Sequence, residues 1–406
     1  MLIVLMLMAT LTVVACSNTV PHADPDPGAG GAVVEAPSAP VTSGPPLRVE
    51  VVAAGLDHPW NTAFLPDGRI LLTQRSGALS VLSSSAPGAV AGQVQADLSD
   101  IYVRGESGLM GLALRPDFAT SRLFTTCQSH AETGRPVDIR LVTWRLSPDD
   151  RSAQRVRDPL VGGLPLNPSG RHSGCRPTFA PDGALLVGTG DAAQPTVAQD
   201  RHKLGGKVLR VDAVTGGPPP GNPFLSSPDP AERLIYNYGH RNLQGVAVRP
   251  GTGEAFTVEH GTDRDDEVNL VLPGANYGWD PSRGSIASGY DESVPMTDTV
   301  RFPNSARPAW SSGYPNQATS GAAFLDGPQW GDLRGALTVA TLRGQKLLLM
   351  RFGADPTANI VTSVNEPAEL NNTHGRLRSA RLGPDGALYV TTDNGTNDEV
   401  LRITRA

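Results

Sequence analysis

The stretch RPTFAPDGALLVGTGDA, residues 176–192, decides how the rest of the chain is read. A short apolar run enters Pro-Asp-Gly, and a second apolar run leaves it and ends in small residues and an aspartate. Proline presets the first turn angle and glycine accepts the positive φ that a tight turn needs, while flanks this short suit strands better than helices. The same pattern returns at NTAFLPDGRILLTQRSGALSVL from Asn61, GLALRPDFATSRLFTTCQS from Gly111 and GVAVRPGTGEAFTVEHG from Gly245. It returns again at SARLGPDGALYVTTDNG from Ser379 and, more loosely, at GAAFLDGPQWGDLRGALTVATLRG from Gly321.

The turn positions Pro66, Pro116, Pro181, Pro250, Asp326 and Pro384 lie roughly 50 to 76 residues apart, room for a four-stranded antiparallel sheet with long loops. Six such units arranged radially make an all-β, six-bladed β-propeller. Helical periodicity is scarce, which argues against a parallel sheet with helical crossovers and leaves a β-sandwich as the competing architecture. Whether the last strand, EVLRITRA from Glu399, closes the ring on the first blade is not fixed by sequence. LRVEVVAAG from Leu47 is its natural neighbour.

The chain has 406 residues, 45 of them Gly and 36 Pro, with a formal charge of −6, which gives no general attraction to nucleic acid. Residues 1–15 read as an apolar export signal too short to span a bilayer, although it lacks the usual basic opening. VVAC resembles a lipobox, which makes Cys16 the lipidated first residue of a membrane-anchored extracytoplasmic protein. Residues 16–46, rich in Pro, Gly and Ala, then read as a flexible tether ahead of a propeller over 47–406. The two other cysteines, Cys127 and Cys175, are expected to pair in an oxidising compartment.

Charged and amide side chains gather where the loops of one propeller face would converge. They include Glu106, His172, Asp191, His240, Arg241, Asn242 and Gln244, then Asp263, Asp265, Asp266 and Glu267. Later come Arg343, Asn371, Asn372, His374, Arg376 and Arg378. Arg376 and Arg378 stand two apart, so on a strand they share a face, where forked donors suit carboxylates. EHGTDRDDE, residues 259–267, offers turn carbonyls and acids to a hard cation such as calcium, or else forms a solvated loop. His172 is the best single general-base candidate, against the plainer reading of a loop-holding histidine. Serine-hydrolase, zinc-protease, Walker and dinucleotide motifs are lacking in suitable contexts.

GLDHPWNTAFLPDGRILLTQRSG, GESGLMGLALRPDF, GRHSGCRPTFAPDGALLVGTGD, YGHRNLQGVAV, EHGTDRDDEVNLVLPGANYGWD and GRLRSARLGPDGALYVTTD follow one another in the order found in a known family. The chain resembles the soluble glucose/sorbosone dehydrogenases that depend on pyrroloquinoline quinone (PQQ), in particular their bacterial lipoprotein members. The resemblance implies a PQQ- and calcium-dependent oxidoreductase that passes hydride from a sugar or polyol to the quinone, which an unspecified acceptor then reoxidises. It implies that His172 is the general base, that Arg241 and Asp266 act beside it, and that Arg241, Asn242, Asn316, Arg343, Arg376 and Arg378 hold the cofactor. It also implies calcium on the carbonyls of Gly261 and Thr262, substrate contacts at Glu106, Arg171 and Tyr314, and a second calcium near Tyr290 and Asp291. Thr262 stands where proline is usual, Glu106 where glutamine is common, and Arg171 where an acid is found. Two rival functions are a non-catalytic extracytoplasmic binding lipoprotein and a calcium-dependent propeller lactonase. GHRN and the arginine pair argue against the lactonase.

Overall fold

The computed structural model describes residues 39–283, 289–355 and 359–406. The expected export signal, Cys16 and the tether as far as residue 38 lie outside the described residues. Each repeat is the inner hairpin of a blade. The pairs are Pro59–Phe64 with Ile70–Gln74, Leu109–Leu114 with Leu123–Glu132, Arg176–Phe179 with Leu185–Gly188, and Leu243–Val248 with Ala255–Glu259. Thr319–Phe324 with Leu337–Thr341 and Leu377–Leu382 with Leu388–Thr392 complete the six. Two further antiparallel strands extend each hairpin outward. The first strands of successive blades touch in ring order and the sixth touches the first, so the six sheets form a closed propeller and not a sandwich.

The apolar side chains explain this arrangement, because each sheet is buried on both faces against its neighbours. Leu79, Leu109, Phe124 and Trp144 fill the layer between blades 1 and 2, and Met110, Leu141, Leu185 and Leu209 the layer between blades 2 and 3. Val52, Ile70 and Tyr389 close the last layer, between blades 6 and 1. Near the axis the backbones come too close for larger residues. A Cβ on Gly245 would lie 2.5 Å from the Ser320 carbonyl oxygen.

The C-terminal strand Asp398–Arg405 does pair with Leu47–Leu56, with Leu47 opposite Arg405. The N-terminal strand nonetheless completes the sixth blade, since Leu47–Leu56 lies outermost on the sheet that begins with Leu377–Leu382. The chain also takes up structure before Leu47. Val41–Thr42 joins the fifth blade in parallel with Val361–Asn365, which gives that blade a fifth strand where a tether was expected.

Cys127 and Cys175 form a disulfide between blades 2 and 3, with Cα atoms 6.0 Å apart and a sequence separation of 48. Closing a loop of that length restricts the unfolded chain. A Cys127→Ala/Cys175→Ala variant is expected to lose about 3 kcal/mol of stability, read as a lower denaturation midpoint.

Candidate active site

The inner hairpins present their open ends to one face, and the open end of the blade 3 hairpin positions His172. His172 lies just before the first strand of blade 3. Its Nδ1 is 2.7 Å from Asp191 Oδ1, on the turn after the second strand of that blade. The backbone fixes this meeting: the Asp191 amide donates to the Arg241 carbonyl at 2.8 Å, and Ala192 donates to the His172 carbonyl at 3.3 Å. Glycine is required between them, because a Cβ on Gly190 would sit 1.9 Å from the His172 carbonyl oxygen. Trp279 Nε1 at 2.8 Å and the Tyr290 hydroxyl at 2.7 Å donate to the second Asp191 oxygen. Burial favours the neutral acid at Asp191, but His172, Arg241 and Tyr290 outweigh it and hold the carboxyl below its ordinary range. An ionised Asp191 takes the Nδ1 proton of His172 in hydrogen bond, which leaves Nε2 as the basic nitrogen.

A cavity of about 660 Å³ opens beside His172, lined also by Glu106, Arg171, Arg241, His260, Gly261, Thr262, Asp263, Glu292, Ser293, Asn316 and Arg343. Arg241 is buried over Trp279, with its Cζ 5.7 Å from the ring centre. Its Nη1 donates to the His260 carbonyl at 3.2 Å and its Nη2 to Glu292 at 2.5 Å, while Nε has no partner. His260 contributes a buried Nε2, also without a partner, and burial lowers its pKa to about 3, so the ring is neutral. One Glu106 oxygen accepts from Asn242 at 2.9 Å and Gln244 at 3.1 Å. Burial opposes the charge on Glu106, but His172, His260, Asn242 and Arg378 overcome it and keep its pKa low.

A second cavity of about 500 Å³ shares Glu106 and Arg171 with the first. It is lined also by His58, Arg75, Arg376, Arg378, Asp393 and Asn394. The expected arginine pair therefore lies in the adjoining chamber, and its two members differ. Arg378 is buried and donates through Nε at 2.9 Å and through Nη2 to Asp393, so it is already matched to a carboxylate. Arg376 makes one Nε bond, to the Asp393 carbonyl at 3.1 Å, and lines the chamber. Arg75, which sequence reasoning missed, donates to the Gly105 carbonyl and keeps a buried Nε without a partner.

Several expected residues have other places. Asp266 is fully buried behind the cavity, where it accepts from the amides of Gly261 at 2.9 Å, Gln317 at 2.6 Å and Thr319 at 3.3 Å. It shapes the 261–262 turn and lines neither cavity, so its contact with the chemistry is indirect. Burial raises its pKa to about 6 against those three amides. Asp266→Asn would turn an NH2 toward amide donors it cannot accept from, and a loss of about 1–3 kcal/mol is expected in denaturant unfolding.

Asn242 lies beneath the cavity floor, with its oxygen accepting from the Gly174 amide at 3.1 Å. Asn316 donates to the Thr262 carbonyl at 2.6 Å and accepts from Arg343 at 2.6 Å, so both brace the turn. Tyr314 is 71% exposed and lines neither cavity. Tyr290 joins the His172–Asp191 pair, and the Asp291 carboxylate accepts from Ser293. His240 is buried between Glu259 and Asn237, and His374 pairs with Glu399. Among the described residues, the acids of 263–267 make no cluster of three metal-type side chains. Such a cluster occurs at His58, Asp393 and Asp398.

The family model for glucose/sorbosone dehydrogenases matches residues 56–402. The chain belongs to the glucose/sorbosone dehydrogenase family. Among glucose/sorbosone dehydrogenase relatives, the aldose sugar dehydrogenase YliI of Escherichia coli K12 is 31% identical over 366 residues, covering 88% of this chain and 92% of YliI. Two solved structures share the architecture. The apo-form of the soluble aldose sugar dehydrogenase from E. coli superposes with a TM-score of 0.73 at 29% identity, over 89% of this chain and 100% of that one. The PQQ-bound aldose sugar dehydrogenase from Streptomyces coelicolor superposes with a TM-score of 0.67 at 27% identity, over 89% of this chain and 100% of that one.

Proposed function

We propose that this member of the family is a PQQ- and calcium-dependent dehydrogenase of an aldose or related polyol, with His172 as general base. The observation that carries the reading is the Asp191-anchored His172 opening on a cavity shared with Arg241 and the 261–262 turn. The residues present fit the cofactors. PQQ is a planar polycarboxylate, and the second chamber offers Arg75, Arg171 and Arg376 to carboxylates, with an unpartnered buried Nε on Arg75, while Arg241 brings another to the first cavity. The carbonyls of Gly261 and Thr262, on the cavity wall, are ligands suited to calcium. When bound, the quinone supplies the acceptor for hydride leaving the sugar's anomeric carbon and calcium polarises its carbonyl, which makes a lactone the first product.

His172 takes the hydroxyl proton at Nε2, and the Asp191 carboxylate stabilises the imidazolium that results. Arg241 keeps a fixed positive charge in a buried site, where it is most effective against developing negative charge. Asp266, through the Gly261 amide, holds the turn that carries the two carbonyls. The same reading places the protein outside the cytoplasm, lipid-anchored through Cys16. The buried disulfide supports an oxidising compartment, and among the described residues no helix is long and apolar enough to cross a membrane.

Chelator-treated protein should regain dye-linked oxidation of aldoses when PQQ and calcium are added together. Absence of both quinone binding and turnover across an aldose and polyol panel would refute the assignment. A Cys16→Ala variant should leave the membrane fraction if the anchor is as proposed.

A further inference from the structure

The residues that follow the fourth blade's third strand return to the catalytic cavity with a side chain that carries a second kind of information. Tyr290 is fastened to the base pair, its hydroxyl 2.7 Å from Asp191 Oδ2 and 3.2 Å from His172 Nδ1. Two residues on, Glu292 lines the same cavity as His172. Its Oε1 accepts from Arg241 Nη2 at 2.5 Å and from Arg171 Nη2 at 3.1 Å, so one oxygen is clamped between two guanidiniums. Its Oε2 has no hydrogen-bond partner among the described residues. Arg171 also lies against the Tyr290 ring, with its Cζ 5.9 Å from the centre, which steadies the clamp from the solvent side.

We propose that Glu292 is a specificity-determining residue that accepts a hydrogen bond from a substrate hydroxyl and confines the substrate to neutral polyhydroxy compounds, excluding sugar acids. The proposal rests on the functional reading given above and adds the substrate class to it. A carboxylate held on one oxygen by two guanidiniums is rigid, and its second oxygen is a strong acceptor for a hydroxyl. Burial opposes its charge, but Arg241 and Arg171 outweigh burial and keep it ionised. The charges that line the two chambers make the same division. In the first, Arg171, Arg241 and Arg343 face Glu106, Asp263 and Glu292, three against three, so its side chains add no cationic surplus of their own and Glu292 presents a negative charge to an acidic sugar. In the second, Arg75, Arg171, Arg376 and Arg378 face Glu106 and Asp393, four against two, and the surplus suits an anion.

Glu292→Gln, in protein loaded with PQQ and calcium, keeps the side-chain shape and removes the charge. The KM for D-glucose, or for the best neutral aldose of the panel, is expected to rise about tenfold. The ratio of kcat/KM for D-glucuronate to that for the neutral sugar is expected to rise by a similar factor. Calorimetric binding of 1,5-anhydro-D-glucitol, which lacks the reacting hydroxyl, should weaken in parallel. A disturbance of Arg241 alone would lower both substrates' kcat/KM equally, so an unchanged ratio overturns the proposal. Wild-type protein that neither binds PQQ nor oxidises any sugar fails the functional reading instead. In that case equal calorimetric affinity of the two proteins for 1,5-anhydro-D-glucitol would still overturn the role of Glu292.

Discussion

Exchange of His172 for glutamine is expected to lower kcat by about 10³-fold while quinone affinity stays within about threefold. Glutamine can fill the space and can still hydrogen-bond toward Asp191, but it cannot take up a proton. The reason to expect so large a loss is that His172 alone meets both requirements of a base in this cavity. It is buried, with side-chain exposure of 5%, and its Nδ1 side is fixed by a carboxylate that Trp279 and Tyr290 hold from behind. The other histidine on the wall, His260, has an Nε2 without such support, and burial keeps it neutral. Single-turnover reduction of bound quinone by excess aldose measures the chemical step, and absorbance titration measures affinity. A variant that retains near-native kcat would move the base to another group, with Glu106 the carboxylate next to inspect. Loss of quinone affinity in proportion to kcat would mean that His172 shapes the pocket and does not take the proton.

The largest stability effect is expected from Arg378→Ala, a loss of about 3–5 kcal/mol. Asp393 is buried, and Arg378 gives it a two-pronged guanidinium contact while His58 Nδ1 adds a third at 2.5 Å. Burial pushes the Asp393 pKa up, but Arg378, His58 and Arg75 more than reverse that and hold it well below the carboxylate range. Removal of Arg378 strands a negative charge in a site built for a pair. The sign with pH follows. A depressed folded pKa gives stability that is present above the unfolded carboxylate pKa and is lost as pH falls through the folded value. Wild type and variant should therefore converge in strong acid, and equal denaturation midpoints at neutral pH would remove Arg378 from this structural role. Arg376, with its single bond to a carbonyl, offers the contrast: Arg376→Ala should leave the midpoint near wild type and weaken quinone retention.

That contrast marks where sequence reasoning reached and where it stopped. Alternation puts Arg376 and Arg378 on one face, but Arg376 precedes the strand, and a register shift between Leu377 and Ser379 breaks the pattern there. One arginine turns to an internal acid and the other stays at the chamber wall. The blades were legible because every inner hairpin carries its own local turn chemistry, from Pro66 to Pro384. The choice of blade that receives the N-terminal strand was not, since it depends on a pairing across nearly the whole chain. His172 stood out as a titratable residue in a glycine-rich loop. Asp191 followed as a loop candidate, but its pairing depends on the backbone bridge between Gly190 and Asn242. Glu292 was marked only by resemblance, as the end of the GYDE segment near an expected second calcium, because it lies in the long connection between Glu267–Leu270 and Trp310–Ser311, where no repeat sets a register. Tyr314, expected beside the substrate by resemblance, likewise lies in an irregular segment where no period assigns a face, and it is exposed.

The pairing of Leu47–Leu56 with Asp398–Arg405 has a consequence for how the molecule is made. The outermost strand of the sixth blade is made before any of the other blades, and its partner is made after all of them. The ring therefore latches only once Asp398–Arg405 has been made, after every other blade is available to fold. Val41–Thr42 then fastens the preceding residues to the fifth blade, so one run of polypeptide stitches across the seam between the last two blades. A chain lacking Asp398–Arg405 would leave Leu47–Leu56 unpaired at a sheet edge, the kind of surface that quality-control proteases and aggregating neighbours both find.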